Sequence, residues 1–288
     1  MGVLVREEAK VFFESEGILG VHAETHSDTI IVTFNELTTT ANGNSFWGDR
    51  LLAGLDVTGI GFVSTTPNWY PREDMLRAID AARSLISGRR VVTYGYSQGA
   101  YGALKYGAHL SASAAVAFSP QWSINPIDVG KFDSRFSKFY EPGLANGERI
   151  EAEDLCERNY VVVDRWNRVD AANIEKLIAL GSVVVIPCPF ADHGTLAIIT
   201  DAHLGNDLVR LMVDDRALRP QALRTLVRRG RTKSLTYQRY RAAQLSASRT
   251  RHQRFASAAA ACMSTALERV MAQVELHLAT SVSEYGQD

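Results

Sequence analysis

Along the first two thirds of the chain, short apolar runs take turns with longer stretches whose apolar residues recur every three or four positions. The short runs read as strands: Lys10–Ser15, Ile18–Glu24, Thr29–Phe34, Gly59–Ser64, Val91–Gly95, Ala114–Ser119, Tyr160–Asp164 and Ser182–Cys188. Only Glu16-Gly17 separates the first two, which suits an antiparallel hairpin. The third, fifth, seventh and eighth runs are Val/Ile-rich without alternation, the pattern of strands covered on both faces. The longer stretches read as helices over Arg50–Asp56, Arg72–Ser87, Gln98–Ala108, Ala171–Leu180 and Leu196–Val213. Arg72–Ser87 carries the clearest signals: Pro71 before it, Glu73 and Asp74 in its first turn, and Gly88 after it. Alternating strands and helices imply right-handed parallel crossovers. The expected fold is therefore α/β: a mostly parallel eight-stranded sheet with helices on both faces.

Two regions depart from this rhythm. Gln121–Arg158 contains Pro126 and Pro142 and has weak periodicity, and it reads as an excursion over the sheet, in the manner of a small lid. From Leu218 onward the pattern is wholly helical, over Ala217–Arg229, Leu235–Arg249 and Phe255–Leu278. The last of these carries a stripe of Met263, Leu267, Val270, Val274 and Leu278, suited to packing on the body or against a second subunit. The expected organisation is one domain over residues 1–215 and a helical extension over 216–288.

Composition sharpens only part of this picture. The 288 residues carry a formal net charge of −1, unevenly spread. Arg216 to Arg254 holds twelve Arg/Lys and no acid, and the first 215 residues are left with a formal −10. An acidic body thus joins a basic arm, read as a solvated helical face folded back on the body, with no aromatic-rich motif to suggest a nucleic-acid partner. The three cysteines (Cys156, Cys188 and Cys262) are far apart, with neither a disulfide framework nor metal-ligand spacing. No apolar run reaches membrane-spanning length, and the N-terminus has neither signal-peptide nor myristoylation character. A cytoplasmic location is the default expectation.

The sharpest local signal is Val91-Val92-Thr93-Tyr94-Gly95-Tyr96-Ser97-Gln98-Gly99-Ala100-Tyr101-Gly102. A buried strand runs directly into Gly-x-Ser-x-Gly, and a small-residue helix follows. A nucleophilic serine needs this arrangement, with its hydroxyl lifted above the sheet on a strained turn and glycines giving the chain room to bend. On these residues the chain resembles the α/β-hydrolase superfamily over about residues 10–215. The resemblance implies Ser97 as nucleophile after the fifth strand, an acid after the seventh, and a histidine after the eighth. His193, in Pro189-Phe190-Ala191-Asp192-His193-Gly194, fits the last role. Two aspartates compete for the acid. Asp164 stands at the mouth of the seventh strand and is favoured; Asp170 is the alternative, with a rival reading as a helix N-cap. The backbone N–H of Gln98 is expected to donate to an oxyanion, with a second donor from Asn35 or Glu36 after the third strand.

The four tryptophans Trp47, Trp69, Trp122 and Trp166 each follow the C-terminal end of a strand, where open α/β sheets bind ligands. Trp69 and Trp122 are the expected substrate contacts, against the plainer reading of loop anchors. Asn68-Trp69-Tyr70-Pro71 and Ser119-Pro120-Gln121, with Asp164 and Asp170, also resemble bacterial hydrolase-like proteins of surface-glycan contexts, which implies a glycan O-acyl ester as substrate. The function expected is ester or thioester hydrolysis through an acyl-enzyme, without metal or organic cofactor. Acyl transfer to another acceptor and a non-catalytic scaffold are the alternatives.

Overall fold

A computed structural model of the chain describes residues 9–247. Eight strands form one sheet: β1 (Lys10–Glu14), β2 (Ile18–Ala23), β3 (Thr29–Phe34), β4 (Thr58–Ser64), β5 (Arg90–Tyr96), β6 (Ala114–Phe118), β7 (Asn159–Val163) and β8 (Val183–Pro187). Their spatial order is β1-β2-β4-β3-β5-β6-β7-β8. From β4 to β8 every neighbouring pair is parallel. The hairpin β1/β2 is antiparallel, and so is β2/β4, which gives a second antiparallel pair beyond the one expected.

The helices are α1 (Asp49–Ala53), α2 (Arg72–Ile86), α3 (Gln98–Lys105), α4 (Pro126–Val129), α5 (Arg168–Ile178), α6 (Ala202–Val213), α7 (Pro220–Lys233) and α8 (Leu235–Ala247). Side chains alternate across the pleat and build two cores. Ile30, Val32 and Phe34 of β3, with Val161 and Val163 of β7, face α2, α3 and α5. Ile31, Val92, Tyr94, Tyr160 and Val162 face the opposite side, where Leu52 of α1, Leu208 of α6, and Leu223, Leu226 and Val227 of α7 cover them. Burial on both faces explains why the central strands read as unbroken apolar runs.

The expected helix over Leu196–Val213 is broken in two. A 3-10 turn, Thr195–Ile199, is followed by a fresh start at Asp201, whose carboxylate caps α6 by accepting from the His203 and Leu204 N–H groups. The 121–158 excursion holds α4 and short 3-10 turns, and side chains tie it down. The Trp122 indole donates to the Ile150 carbonyl, and the Asn146 amide donates to Asn68 and Phe139 carbonyls. The expected helix Phe255–Leu278, its apolar stripe, Cys262 and the basic residues past 247 lie outside the described residues. Among the described residues no helix is long and apolar enough to cross a membrane.

Candidate active site

β5 delivers Ser97 into a conformation that L-residues rarely adopt, with φ 51° and ψ −117°. Two glycines make the turn sterically possible. A Cβ at Gly95 would sit 2.2 Å from the Gly99 backbone, and one at Gly99 would sit 2.2 Å from the Phe34 carbonyl oxygen. The elbow is locked to the sheet by the Ser97 N–H donating to Phe118 (2.9 Å), and its carbonyl accepts from Tyr101 in α3 (3.0 Å). The Ser97 Oγ lies 2.9 Å from His193 Nε2.

His193 is set by the loop after β8. That loop turns through Phe190 (φ 68°) and Asp192 (φ 53°) and closes with the Gly194 N–H on the Ala191 carbonyl. The other imidazole nitrogen, Nδ1, is 2.8 Å from Asp170 Oδ2 and 3.1 Å from Oδ1. Ser97, His193 and Asp170 therefore form a continuous hydrogen-bonded line.

The favoured acid, Asp164, does not take this position. Its carboxylate accepts the N–H groups of Trp166 (3.0 Å) and Asp192 (2.9 Å), so it shapes the two loops instead. Burial, the largest influence, holds its pKa above the ordinary value despite those bonds. Asp170 is freed for the imidazole because α5 begins earlier than the sequence suggests. Asn167 is the N-cap, its side chain accepting from Val169 and Asp170, so Asp170 falls in the first turn rather than at the cap.

Asp170 is 1% exposed, and its second partner is a residue the sequence reading did not single out. Arg135 Nη2 of the excursion donates to Asp170 Oδ1 at 2.8 Å. The same guanidinium grips both oxygens of Asp133, at 2.9 Å each. Asn173, one turn along α5 from Asp170, donates to Asp133 Oδ2 (2.8 Å). Burial pushes the Asp133 carboxyl up, but the hydrogen bond and charge of Arg135, with Asn173, outweigh it and leave its pKa below the ordinary value. For Arg135 burial works against the cation, and its two carboxylate partners more than compensate, so its pKa is raised.

Gln98 is the first residue of α3, where a backbone N–H has no acceptor within its own helix. The end of β3 packs directly under the same turn, as the Gly99–Phe34 approach shows. Asn35 is buried. Its side chain takes the Ser64 N–H (2.7 Å), donates to the Ser64 hydroxyl (2.8 Å) and the Thr39 carbonyl, and so fixes the 35–39 loop. Glu36 is occupied with Thr38 and Thr39.

Trp69, expected as a substrate contact, is buried instead of open at the mouth. It is 0% exposed, with its ring against Phe136 and Phe139 at 5.0 and 5.2 Å. Its indole N–H donates to Gln121 Oε1 (3.3 Å). An indole N–H can only donate, so the Gln121 amide must turn its nitrogen the other way, where it lies 3.4 Å from Ser97 Oγ. Trp122 is half-buried, its indole donating to the Ile150 carbonyl and its ring covered by the Lys176 ammonium. Large rings were legible as loop features, but their direction depends on how the excursion folds back. Trp47 packs on Tyr94 at 4.8 Å, while Trp166 is 74% exposed and stacks on Phe190. The imidazole itself is flanked by Tyr96 (5.7 Å) and Phe136 (6.0 Å).

No protein-family model matches the chain, and no curated protein matches it. Among solved structures, it is similar to a glycosylation associate protein complex of Streptococcus agalactiae, with a TM-score of 0.54 and 14% identity over 69% of this chain. The match spans 45% of the streptococcal chain, under half its length. It is also similar to the capsule O-acetyltransferase of Neisseria meningitidis serogroup A (TM-score 0.49, 13% identity, 70% of this chain and 93% of that one). An esterase of Pyrococcus furiosus gives a TM-score of 0.45 at 15% identity, over 68% of this chain and 86% of that one. At such identities the likeness is one of fold. The strand order and the connections described above are those of an α/β-hydrolase-like fold.

Proposed function

We propose that the chain is a serine hydrolase that cleaves an ester or thioester through an acyl-enzyme, with Ser97 as nucleophile, His193 as general base and Asp170 as the acid. The observation that carries this reading is the line from the strained Ser97 through His193 to Asp170. As the Ser97 oxygen bonds to the substrate carbonyl carbon, its proton passes to His193 Nε2, and Asp170 stabilises the imidazolium that forms. The carbonyl oxygen becomes an oxyanion facing the Gln98 N–H at the start of α3, where the helix dipole also favours negative charge. When the intermediate collapses, the bond to the leaving alcohol or thiol breaks and His193 returns the proton to it. A water molecule, deprotonated in turn by His193, then releases the acid.

Labelling with a fluorophosphonate probe tests the reading. The parent is expected to label, and Ser97→Ala and His193→Ala are expected to abolish labelling while the protein remains folded. A folded parent that never labels would instead favour a non-catalytic scaffold. The first substrates to screen are O-acetylated sugars, the class implied by the resemblance to proteins of surface-glycan contexts, beside short-chain esters. Product analysis with and without an added alcohol or amine separates hydrolysis from acyl transfer.

A further inference from the structure

The excursion between β6 and β7 supplies a charge to the triad as well as cover for it. Arg135 reaches across thirty-five positions to Asp170, and its planar fork serves two buried carboxylates at once. Phe136, the next residue, packs its ring between the Arg135 guanidinium (5.2 Å), the imidazole (6.0 Å) and Trp69 (5.0 Å). Asp133 and Asp170 are 4% and 1% exposed, so this ion cluster is held away from water on its carboxylate side. Buried carboxylates of like charge repel strongly unless a cation sits between them.

We propose that Arg135 is a positioning residue for Asp170 and, through it, sets the pH at which His193 gains a proton. The inference rests on the assignment of Ser97, His193 and Asp170 as a triad. With the imidazole neutral, Asp133, Arg135 and Asp170 together carry one net negative charge, which protonation of His193 cancels. Among the described residues, the other groups around the imidazole are uncharged or committed elsewhere. Ser97 and the Tyr96 and Phe136 rings bear no charge. Asp192, the chain neighbour, accepts from the Asn167 side chain, and Asp164 is bonded to backbone N–H groups. Arg241 lies over Phe190 in the same loop.

Two substitutions in this cluster act in opposite directions. Arg135→Met leaves two buried carboxylates without their cation, which favours the imidazolium and raises its midpoint. Asp133→Asn removes one negative charge and leaves Arg135 undivided on Asp170, which lowers the midpoint. Both loosen the same loop, so a merely structural role cannot produce shifts of opposite sign. The experiment follows the His193 imidazole by NMR titration in the resting protein, assigned by its loss in His193→Ala. The expected result is a shift of about half a pH unit or more upward in R135M and downward in D133N. Arg135→Lys keeps the charge but not the fork. It is expected to hold the midpoint near the parent's while slowing fluorophosphonate labelling, and D133N carries the test if R135M does not fold. An unchanged midpoint in R135M or, failing that, in D133N overturns the proposal, as would shifts of the same sign. Fluorophosphonate labelling runs alongside. A parent that fails to label while its imidazole responds as described removes the catalytic reading and leaves the coupling in place.

Discussion

At the scale of single residues, the choice between two aspartates was decided by where a helix begins. Asn167, which caps α5, stands three positions before Asp170, which meets the imidazole. Asp170→Asn is therefore expected to lower kcat by roughly 10³–10⁴-fold, the size of effect seen when a triad acid can no longer hold the right tautomer. Asp164→Asn should leave turnover within about tenfold and act on stability, because its carboxylate holds loop backbone rather than the imidazole. Steady-state kinetics on both variants, beside their thermal unfolding, checks this; the reverse ranking would make Asp164 the acid. Ser97 and His193 were legible because each sits in a local motif tied to the end of a strand. The carboxylate that meets the imidazole was legible only as one of a pair, since helix starts shift by a turn when a better capping side chain lies nearby. Arg135 left no trace in periodicity or motif. A side chain that bridges two loops is fixed by tertiary folding alone, and so is the inward turn of Trp69.

At the scale of elements, the β5–Ser97–α3 elbow is a joint closed by backbone on backbone. Gly99→Ala would drive a methyl group into the Phe34 carbonyl, 2.2 Å away, and Gly95→Ala into the Gly99 backbone. Neither neighbour is a flexible side chain, so each change is expected to cost on the order of 3 kcal/mol and to disturb labelling of Ser97. Gly143→Ala, with open space around its Cβ, should stay within about 0.5 kcal/mol. Denaturant unfolding of the three variants makes the comparison, and equal losses would mean the elbow is not the tight joint described. The junction of the excursion with α5 carries a pH signature of its own. The Asp133 carboxyl titrates lower folded than unfolded, so its contribution to stability is present above the unfolded value. That contribution fades as pH falls from about 4 through the depressed native value. Unfolding curves of parent and Asp133→Asn should therefore lie apart at neutral pH and converge in strong acid. All eight strands were legible within one residue at each end, because continuous apolar runs between turns and helices permit little else. The break at Thr200–Asp201 was hidden, because apolar residues recur on both sides of it (Leu196 and Ile199, then Leu204 and Leu208), and only the capping geometry of Asp201 restarts the helix.

For the whole molecule, the open question is how far the sheet depends on the helices that follow residue 215. Charge marks a change of character there, but the apolar residues do not respect it. Leu218, Leu223, Leu226, Val227 and Tyr237 are buried in the same core as β5, β7 and β8. The contacts lead back to the histidine. The Tyr237 hydroxyl donates to the Pro189 carbonyl, at the start of the loop that carries His193. Ser234 donates to Ala197, and Gly230 lies so close to Ile198 that a Cβ there would fall 2.8 Å from its carbonyl oxygen. Ion pairs line this seam: Arg229 of the basic arm meets Asp207, which Arg210 of α6 also meets, while Arg90 and Arg158 of the body meet Asp215. Surface pairs of this kind contribute little, so burial of the apolar face of α7 has to carry the attachment. Two consequences can be measured. Raising salt from low to about 0.5 M should change the melting temperature only slightly, since screening acts on the exposed pairs and leaves the apolar face untouched. Ending the chain at Asp215 should, by contrast, abolish cooperative thermal unfolding and fluorophosphonate labelling together, because the cover over β8 and the support of the 189–199 loop leave at once. A truncated chain that still melts cooperatively near the parental temperature and labels at the parental rate would make residues 1–215 a self-sufficient domain and the following helices an accessory to it.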